Sequence, residues 1–361
     1  MTDEALNVRL FDCIIDHDDD GDLRAQAVLR RLGTRLDFFD GALHLLGSGD
    51  VYLRSTNELS DLRGALAEAD VCSKCVNTIG YAVRTRLQEA GMGIVSDLPM
   101  SYLRDGEIVM WDRGGFRDVR ASDRCVWRPV QDIGSPPDTV RELSALEQLV
   151  LIDSWGLDRC CCEELIRWAA RGSDRSQRQV PVMLADPDAG KTTLIDALKW
   201  GLPPDACYGI TGQIPDRFAT LKVMLSAFVF VDEAQDLKAE GFSVLKGATG
   251  GASAGLRSIR FVGDSRASRS SIMLLSERGR LQFGTHWHGG WMSRARFFAS
   301  RIERDLGESG RNQVLEPDAL RYLRWRVLLA DRDLRFTECT HLQDARHEVT
   351  QAMNTKEKRL G

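Results

Sequence analysis

A short segment near the middle of the chain contains the residue types that bind phosphate groups. Gly190 is followed by Lys191, Thr192 and Thr193, and Ala185 stands five residues before that glycine. This spacing fits the phosphate-binding pattern G-x-x-x-x-G-K-[ST], except that alanine replaces the first glycine. Backbone N–H groups of such a loop surround phosphate oxygens, and the lysine reaches the β- and γ-phosphates. The residues predicted to bind ATP are therefore Ala185, Asp186, Pro187, Asp188, Ala189, Gly190, Lys191, Thr192 and Thr193.

Two acidic residues, Asp232 and Glu233, follow an apolar run at residues 228–231. A run this short predicts a buried strand of a parallel sheet rather than a helix. At the end of that strand, we expect Asp232 to hold Mg²⁺ together with the Thr192 hydroxyl, and Glu233 to act as the general base on the attacking water. Taken alone, the first motif is compatible with an ordinary strand-turn-helix, and the second with a buried strand that ends in two exposed acidic residues. The 41 residues from Lys191 to Asp232 leave room for a helix, a connection and a strand, so the combination favours an ATP- and Mg²⁺-dependent site.

The elements around these motifs predict an α/β fold. Residues 180–184 are an apolar strand candidate, and a helix is predicted from Lys191. The linker-like run at 134–137 separates a smaller N-terminal α+β domain from this core. We therefore predict three regions: an N-terminal α+β domain (1–137), a P-loop ATPase domain with a parallel sheet flanked by helices (138–305), and a C-terminal helical segment (306–361) whose last ~20 residues are polar and frayed. In the first region, residues 38–53 predict a hairpin that turns at Asp40-Gly41.

Bulk composition limits the functional classes. The 361 residues are 43% hydrophobic and 28% charged, as in ordinary globular proteins. No apolar stretch approaches the ~20 residues that span a bilayer, and the first residues lack the basic and apolar regions of a signal peptide, so a cytoplasmic protein without membrane contact is expected. Nine scattered cysteines do not form a secreted disulfide framework. With a net charge of −5, nucleic-acid binding would need a local basic patch.

One candidate patch lies between residues 253 and 280, because this segment contains six arginines and only two acidic residues. We predict strands at 257–262 and 271–275 with a turn at 263–269 between them. A solvated charged surface is one interpretation of this segment. The other is a hairpin that follows a nucleic-acid backbone. The residues assigned to that contact are Arg257, Arg260, Arg266 and Arg269.

The order of these motifs resembles the superfamily 3 helicases, and most closely the primase-helicases of poxviruses, phages and plasmids. The resemblance rests on the phosphate loop, the Asp232-Glu233 strand, the segment Leu245-Lys246-x-x-Thr249-Gly250-Gly251, the arginine-bearing hairpin, a third apolar strand, and Trp291-x-x-Arg294-x-Arg296-Phe297. It covers roughly residues 140–330.

This resemblance implies an AAA+/RecA-like motor that forms a homo-oligomeric ring, usually a hexamer, around single- or double-stranded DNA, with a separate primase or replication protein as a further partner. ATP would lie between subunits, and Arg294, or failing that Arg296, would complete the neighbour's site. Lys246 joins the arginines as a nucleic-acid-binding candidate. The third strand should end in a residue that orients the attacking water. The family usually has asparagine there, whereas this chain has Ser276-Glu277, of which Ser276 is the candidate.

Three other classes remain open on sequence grounds. Val231-Asp232-Glu233-Ala234-Gln235-Asp236 also resembles superfamily 1 helicases, but the 97 residues after Asp264 are too few for a second motor domain. An AAA+ regulator of transposition or DNA remodelling would bind duplex DNA without unwinding it. A scaffold that binds ATP but hydrolyses it weakly would agree with Ala185 and Ser276, which both depart from the family pattern.

Overall fold

The computed structural model describes residues 36–39, 42–46, 52–54, 100–112, 115–119, 125–140, 142–173, 179–214, 223, 226–250, 253–258, 261–266, 270–278, 291–302, 304–330 and 340–360. Within the N-terminal part the strands are β1 (Leu36–Phe39), β2 (Ala42–Leu46), β3 (Tyr52–Arg54), β4 (Met100–Arg104), β5 (Glu107–Asp112), β6 (Gly115–Asp118) and β7 (Cys125–Val126). β1 and β2 pair antiparallel with Phe39 opposite Ala42, so the first two strands of the predicted hairpin are present, whereas the predicted turn residues Asp40 and Gly41 lie outside the described residues.

The remaining elements alternate between helices and strands. They are α1 (Leu146–Ser154, with π-helical hydrogen bonding), α2 (Arg159–Ser173), β8 (Val180–Ala185), α3 (Lys191–Lys199), β9 (Cys207–Thr211), β10 (Phe228–Asp232), α4 (Ala239–Gly250), β11 (Ser253–Ser258), β12 (Phe261–Arg266), β13 (Ser271–Glu277), β14 (Ala295–Ala299), α5 (Gly307–Val314), α6 (Pro317–Leu328) and α7 (Thr340–Leu360). Short 3₁₀ turns lie at Pro204–Ala206 and Ala234–Asp236.

A five-stranded parallel sheet with the order β14-β8-β13-β10-β9 forms the centre of the molecule. Successive residues of β10 face opposite sides of the sheet and belong to two different apolar clusters. Phe228 and Phe230 face the cluster that contains α2, α3 and α6, whereas Val229 and Val231 face the cluster that contains α4 and α7. Helices therefore cover both faces, as a buried parallel sheet requires, and the predicted α/β core is confirmed.

The strand order places β13 between β8 and β10. Between β10 and β13 the chain forms β11 and β12, which pair with each other as a separate antiparallel sheet before β13 pairs with β10. All five strands run in the same direction, so the ends of β8, β10 and β13 meet at one edge. Ligands of open α/β sheets bind outside the carboxyl ends of the strands. We therefore expect the predicted site at this edge.

Helix α6 lies between the phosphate-loop helix and the antiparallel sheet β4-β5-β6. Arg324, which is 3% exposed, donates to the carbonyl oxygens of Leu198 (2.6 Å) and Trp200 (2.9 Å) at the end of α3. Trp325 donates from Nε1 to the Ile133 carbonyl (3.0 Å), and its ring lies 5.5 Å from that of Phe116. A cation at a helix C-terminus stabilises the helix. Arg324 of α6 therefore stabilises the C-terminal end of α3.

The turn between β4 and β5 is held by the carboxylate of Asp132. It accepts hydrogen bonds from the backbone N–H groups of Asp105 (2.9 Å), Gly106 (2.7 Å) and Gly134 (2.7 Å). Burial tends to raise the pKa of this carboxyl. The three N–H donors and the charge of Arg321 outweigh that effect, and the pKa lies below its ordinary value.

Two sequence predictions about local structure are wrong. The arginine segment was expected to have a strand at 257–262 and a turn at 263–269, but the chain reverses between β11 and β12, where Arg257 pairs with Val262. Arg257 of the expected strand therefore lies on β11, whereas Phe261 and Val262 lie on β12. The last ~20 residues were expected to be frayed, but α7 runs to Leu360. His341, Ala345 and Val349, spaced four residues apart, are buried, and this weak period had been missed.

None of the helices within the described ranges combines the length and apolar character that a bilayer-spanning helix requires.

Candidate functional site

The phosphate loop leads from the end of β8 directly into α3. Asp188 and Gly190 both have left-handed backbone conformations, with φ of 61° and 91°. A Cβ at Gly190 would lie 2.8 Å from Cδ2 of Leu306, so the loop also passes close to the chain after β14. Gly190 is the residue that precedes α3, and it offers no side chain to cap the helix. The first N–H groups of α3 therefore remain suited to an anion.

Lys191 curls back over this loop. Its Nζ donates to the carbonyl oxygens of Ala185 (3.0 Å) and Asp186 (2.6 Å), and the side chain is half-buried. Burial lowers the pKa of Lys191, while nearby carboxylates, above all Glu277 and Asp232, act to raise it. The ammonium is thus already at the loop, within the electrostatic reach of the acidic strand ends.

Contacts that the sequence did not reveal support the loop from outside. Trp155, fully buried after α1, donates from Nε1 to the carbonyl oxygen of Ala189 (2.7 Å). Ser154 Oγ lies 3.3 Å from the same oxygen and donates over 2.5 Å to the Arg304 carbonyl, and the backbone N–H of Leu306 donates to the Asp188 carbonyl (3.3 Å). Tryptophan and serine carry no phosphate-site signal by themselves, so no sequence pattern could have identified them.

The two threonines after Lys191 differ in exposure. Thr192 is exposed, whereas Thr193 is 3% exposed and packs into the core. Of the predicted loop residues, Pro187 and Asp188 are exposed, whereas Ala185 and Ala189 are buried. Thr192 is therefore the loop hydroxyl that a metal ion at this edge could reach, and hydroxyl and carboxylate oxygens are ligands that suit Mg²⁺.

Asp232 is the last residue of β10, and Glu233 follows it with a φ of 51°. Left-handed geometry is costly for a residue with a Cβ and concentrates at functional sites. Asp232 Oδ1 accepts the backbone N–H of Glu233 (3.0 Å), and the Glu233 side chain is exposed. The structure thus turns the chain sharply at the predicted metal and base residues.

Ser276 lies near the end of β13, with Leu184 of β8 as its register partner. Its side chain is 1% exposed, and Oγ donates to Oε1 of Gln235 (2.8 Å). Gln235 belongs to the 3₁₀ turn after Glu233. The sequence assigned no role to this glutamine, and it named Glu277 only as the residue after Ser276, whereas its position opposite Ala185 follows from the sheet register.

The structure does not bring Arg294 to this edge. Arg294 precedes β14, and its carbonyl accepts the N–H of Val180 at the start of β8, one strand length from the loop. Its Nη1 donates to Thr249 Oγ1 (2.7 Å) and to the Lys246 carbonyl (3.3 Å). A strand of six residues spans ~20 Å, so Arg294 lies on the side of the sheet away from its own phosphate loop.

The other basic candidates are dispersed. Arg296 lies on β14 and contributes its charge to the surroundings of Glu164. Lys246 is an exposed residue of α4. Arg257 belongs to β11 and Arg266 to β12, whereas Arg260 and Arg269 lie outside the described residues.

Comparisons with known proteins give only distant similarity. No family model matches the chain. No curated protein matches it. Among solved structures, the chain is similar to an A-form apo structure of the NrS-1 C-terminal region, with 9% identity, a TM-score of 0.40, and coverage of 67% of this chain and 69% of that one. Two structures of NrS-1 residues 305–718 are similar at 11% and 10% identity, with TM-scores of 0.45 and 0.44. They cover 92% and 91% of this chain and 75% and 76% of theirs.

Proposed function

We propose that this protein is a Mg²⁺-dependent ATPase that works on DNA as a superfamily 3-like motor of a phage, plasmid or other mobile element. The observation that carries the proposal is the meeting of three strand ends at one edge of the sheet. β8 leads into the loop with Lys191, β10 ends at Asp232, and β13 ends beside both. No single motif in the sequence required this arrangement.

Each side chain at this edge has a role that its chemistry permits. Lys191 binds the β- and γ-phosphates, and the N–H groups of the loop and of α3 bind phosphate oxygens. Thr192 and Asp232 hold Mg²⁺, which neutralises phosphate charge when it is bound. Glu233 is exposed and directly follows β10, which we call the metal strand because it ends at Asp232. Its carboxylate takes the proton of the attacking water.

The charge balance of the site favours assembly into a homo-oligomer. Carboxylates of Glu277, Asp232, Asp186 and Asp188 all act on Lys191, so one subunit supplies little positive charge for phosphoryl transfer. An arginine from a neighbour often provides that charge, at ~10³-fold or more in rate. Arg294, which lies away from its own loop, is our candidate, and a ring of six copies is the expected assembly.

ATP turnover tests the proposal directly. Hydrolysis should be measured without DNA, with single-stranded DNA and with duplex DNA, beside a strand-displacement assay. A motor should hydrolyse faster with DNA and displace a strand. Glu233→Gln should bind ATP and turn over slowly, whereas Glu240→Gln, an exposed glutamate on α4, should behave as the parent. ATP binding without turnover would favour a scaffold. DNA-stimulated turnover without strand displacement would favour a remodelling regulator.

Binding to DNA has a separate test. Simultaneous alanine substitution of the four candidate arginines between residues 257 and 269 should weaken binding of all sequences alike and reduce the salt dependence, because each lost phosphate contact removes ~0.7–0.9 from the logarithmic slope. A matched control removes four exposed arginines elsewhere, namely Arg128, Arg159, Arg311 and Arg346. An equal effect of both changes would show that the hairpin is only part of a solvated charged surface.

A further inference from the structure

The register of the sheet places Ser276 where a residue could act on both the loop and the metal strand. β13 pairs with β10 on one side and with β8 on the other, so that Leu274 is a partner of both Val231 and Val182. Two residues further along, Ser276 lies beside Leu184, immediately before the loop begins, and near the level of Asp232. A polar side chain at this position is close to the place where a terminal phosphate would lie.

The Ser276 hydroxyl is poorly suited to that contact by itself. The side chain is 1% exposed and short. Its single O–H proton is directed to Gln235 Oε1 at 2.8 Å, with the Glu277 carbonyl at 3.2 Å as a second acceptor. A hydroxyl has one proton to donate, and the proton of Ser276 is already donated to Gln235, so it is not available to a phosphate oxygen. Ser276 is therefore a support for another group.

Gln235 is the group that it supports. The backbone of the 3₁₀ turn is fixed by hydrogen bonds from Asp236 N–H to the Glu233 carbonyl (2.9 Å) and from Leu237 N–H to the Ala234 carbonyl (3.2 Å). Ala234 is buried beneath it. Gln235 itself is half-buried and follows Glu233 by two residues. Both its backbone and its side-chain oxygen are thus held in place.

The bond from Ser276 also determines what the amide can do. With Oε1 accepting from Ser276, the amide nitrogen takes no part in this bond and keeps both N–H groups for another acceptor. Within the part of the chain that the structure describes, this nitrogen makes no hydrogen bond. Its two N–H groups are donors without charge, which can bind a phosphate oxygen between the acidic residues without adding a cation.

We propose that Gln235 is a catalytic residue that donates from its amide nitrogen to the terminal phosphate of ATP, and that Ser276 is its positioning residue. The inference rests on the proposed ATPase function and adds a residue to it. The pair joins the turn after β10 to the end of β13. Because β13 also pairs with β8, which leads into the phosphate loop, this contact aligns the metal strand with the loop. It performs with two side chains what a single longer amide at position 276 could do.

Four variants test the proposal: Gln235→Ala, Gln235→Glu, Ser276→Ala and the double variant Gln235→Ala/Ser276→Ala. Gln235→Ala should lower kcat by ~10²-fold, the usual effect of removing one donor to a developing charge. Gln235→Glu keeps an oxygen for Ser276 but loses the N–H groups, and it should lose a similar part of kcat without losing thermal stability. Gln313→Ala, an exposed glutamine on α5, is the matched control and should leave kcat unchanged.

Two readouts distinguish this role from a structural one. Gln235→Ala should weaken binding of a non-hydrolysable ATP analogue but not of ADP, which has no terminal phosphate. Ser276→Ala should lower kcat by ~10-fold, and the double variant should be no worse than Gln235→Ala, because residues that act through one contact are not additive. Parent-like kcat in Gln235→Ala, or additive losses, would overturn the inference and leave the ATPase proposal intact. Failure of the unmodified protein to bind ATP would overturn both.

Discussion

Glu164 provides a prediction whose size can be worked out from the structure. This residue of α2 is 4% exposed, and its carboxylate lies 3.4 Å from Nη1 of Arg167. Burial raises the pKa of Glu164 from 4.5 to about 7, although the charges of Arg167, Arg296 and Arg171 act to lower it. The native protein therefore holds a proton on this carboxyl in a pH range in which the unfolded chain has released it.

The direction of the pH effect follows from this difference. A carboxyl with a raised pKa makes the folded state bind more protons than the unfolded state between pH 4.5 and about 7. Stability should fall as the pH rises through that window, and the full penalty should be present above it. At ~1.4 kcal/mol per pH unit, Glu164 costs at most about 3 kcal/mol at pH 8.

Glu164→Gln should remove this penalty, because glutamine has the same shape and does not ionise. Urea unfolding at pH 4.5 should give nearly equal free energies of unfolding for the two proteins. At pH 8 the variant should be more stable, by an amount that approaches about 3 kcal/mol. Glu240→Gln, which removes the same charge from an exposed position, is the matched control. A stability difference that does not change between pH 4.5 and pH 8 would refute the assignment of the raised pKa to burial of Glu164.

The remaining predictions concern the loop, the assembly and the N-terminal sheet. Trp155→Phe removes one hydrogen bond to the loop, worth ~1 kcal/mol, and ATP titration should show ~5- to 10-fold weaker binding; Trp168→Phe, which loses a bond to Gln179 instead, should bind normally. Arg294→Ala should bind ATP but hydrolyse it slowly, and mixing it with Lys191→Ala should restore some turnover at mixed interfaces; no recovery would argue against a trans arginine. Asp132→Asn should destabilise the protein at pH 7 and progressively less as the pH falls through the lowered pKa, because the charged carboxylate stabilises only above it; an equal loss at every pH in thermal melts would contradict this.

Local sequence signals were sufficient for the parts of the site that are built by local structure. The strand, loop and helix around Lys191 follow one another within 20 residues, and each is fixed by apolar pattern and by the glycine at position 190. The strand that ends at Asp232 was likewise evident from its four apolar residues. In both cases the residues that determine the conformation are next to those that act.

Contacts between distant residues could not be predicted in this way. The bond from Trp155 to Ala189 spans 34 residues, and that from Ser276 to Gln235 spans 41. Arg324 reaches α3 across more than 120 residues. Such pairs depend on strand order and helix packing, which no pattern in one sequence specifies. For the same reason the position of β13 between β8 and β10 became known only from the structure.

The hairpin and the C-terminal helix show a different limit. The apolar residues around Phe261 predicted a continuous strand, but the chain reverses just before that residue. Helix α7 carries few apolar residues, and in its first turns the buried positions are His341, Leu342, Ala345 and Val349. When so few residues are apolar, the structure of a helix depends on the surface against which it packs. For α7 that surface includes β14, because Nε2 of His341 lies 3.0 Å from the carbonyl oxygen of Ala299.

The central claim is that Lys191 belongs to a working ATP site, and one comparison tests it most directly. Mg²⁺-dependent ATP hydrolysis and equilibrium binding of ATP should be measured for the unmodified protein, for Lys191→Ala and for Lys238→Ala, an exposed lysine after the metal strand. We expect Lys191→Ala to lose hydrolysis to the background level while its circular dichroism and thermal midpoint stay close to the parent, and Lys238→Ala to keep its turnover. Hydrolysis at the parent rate in a correctly folded Lys191→Ala variant would contradict the account.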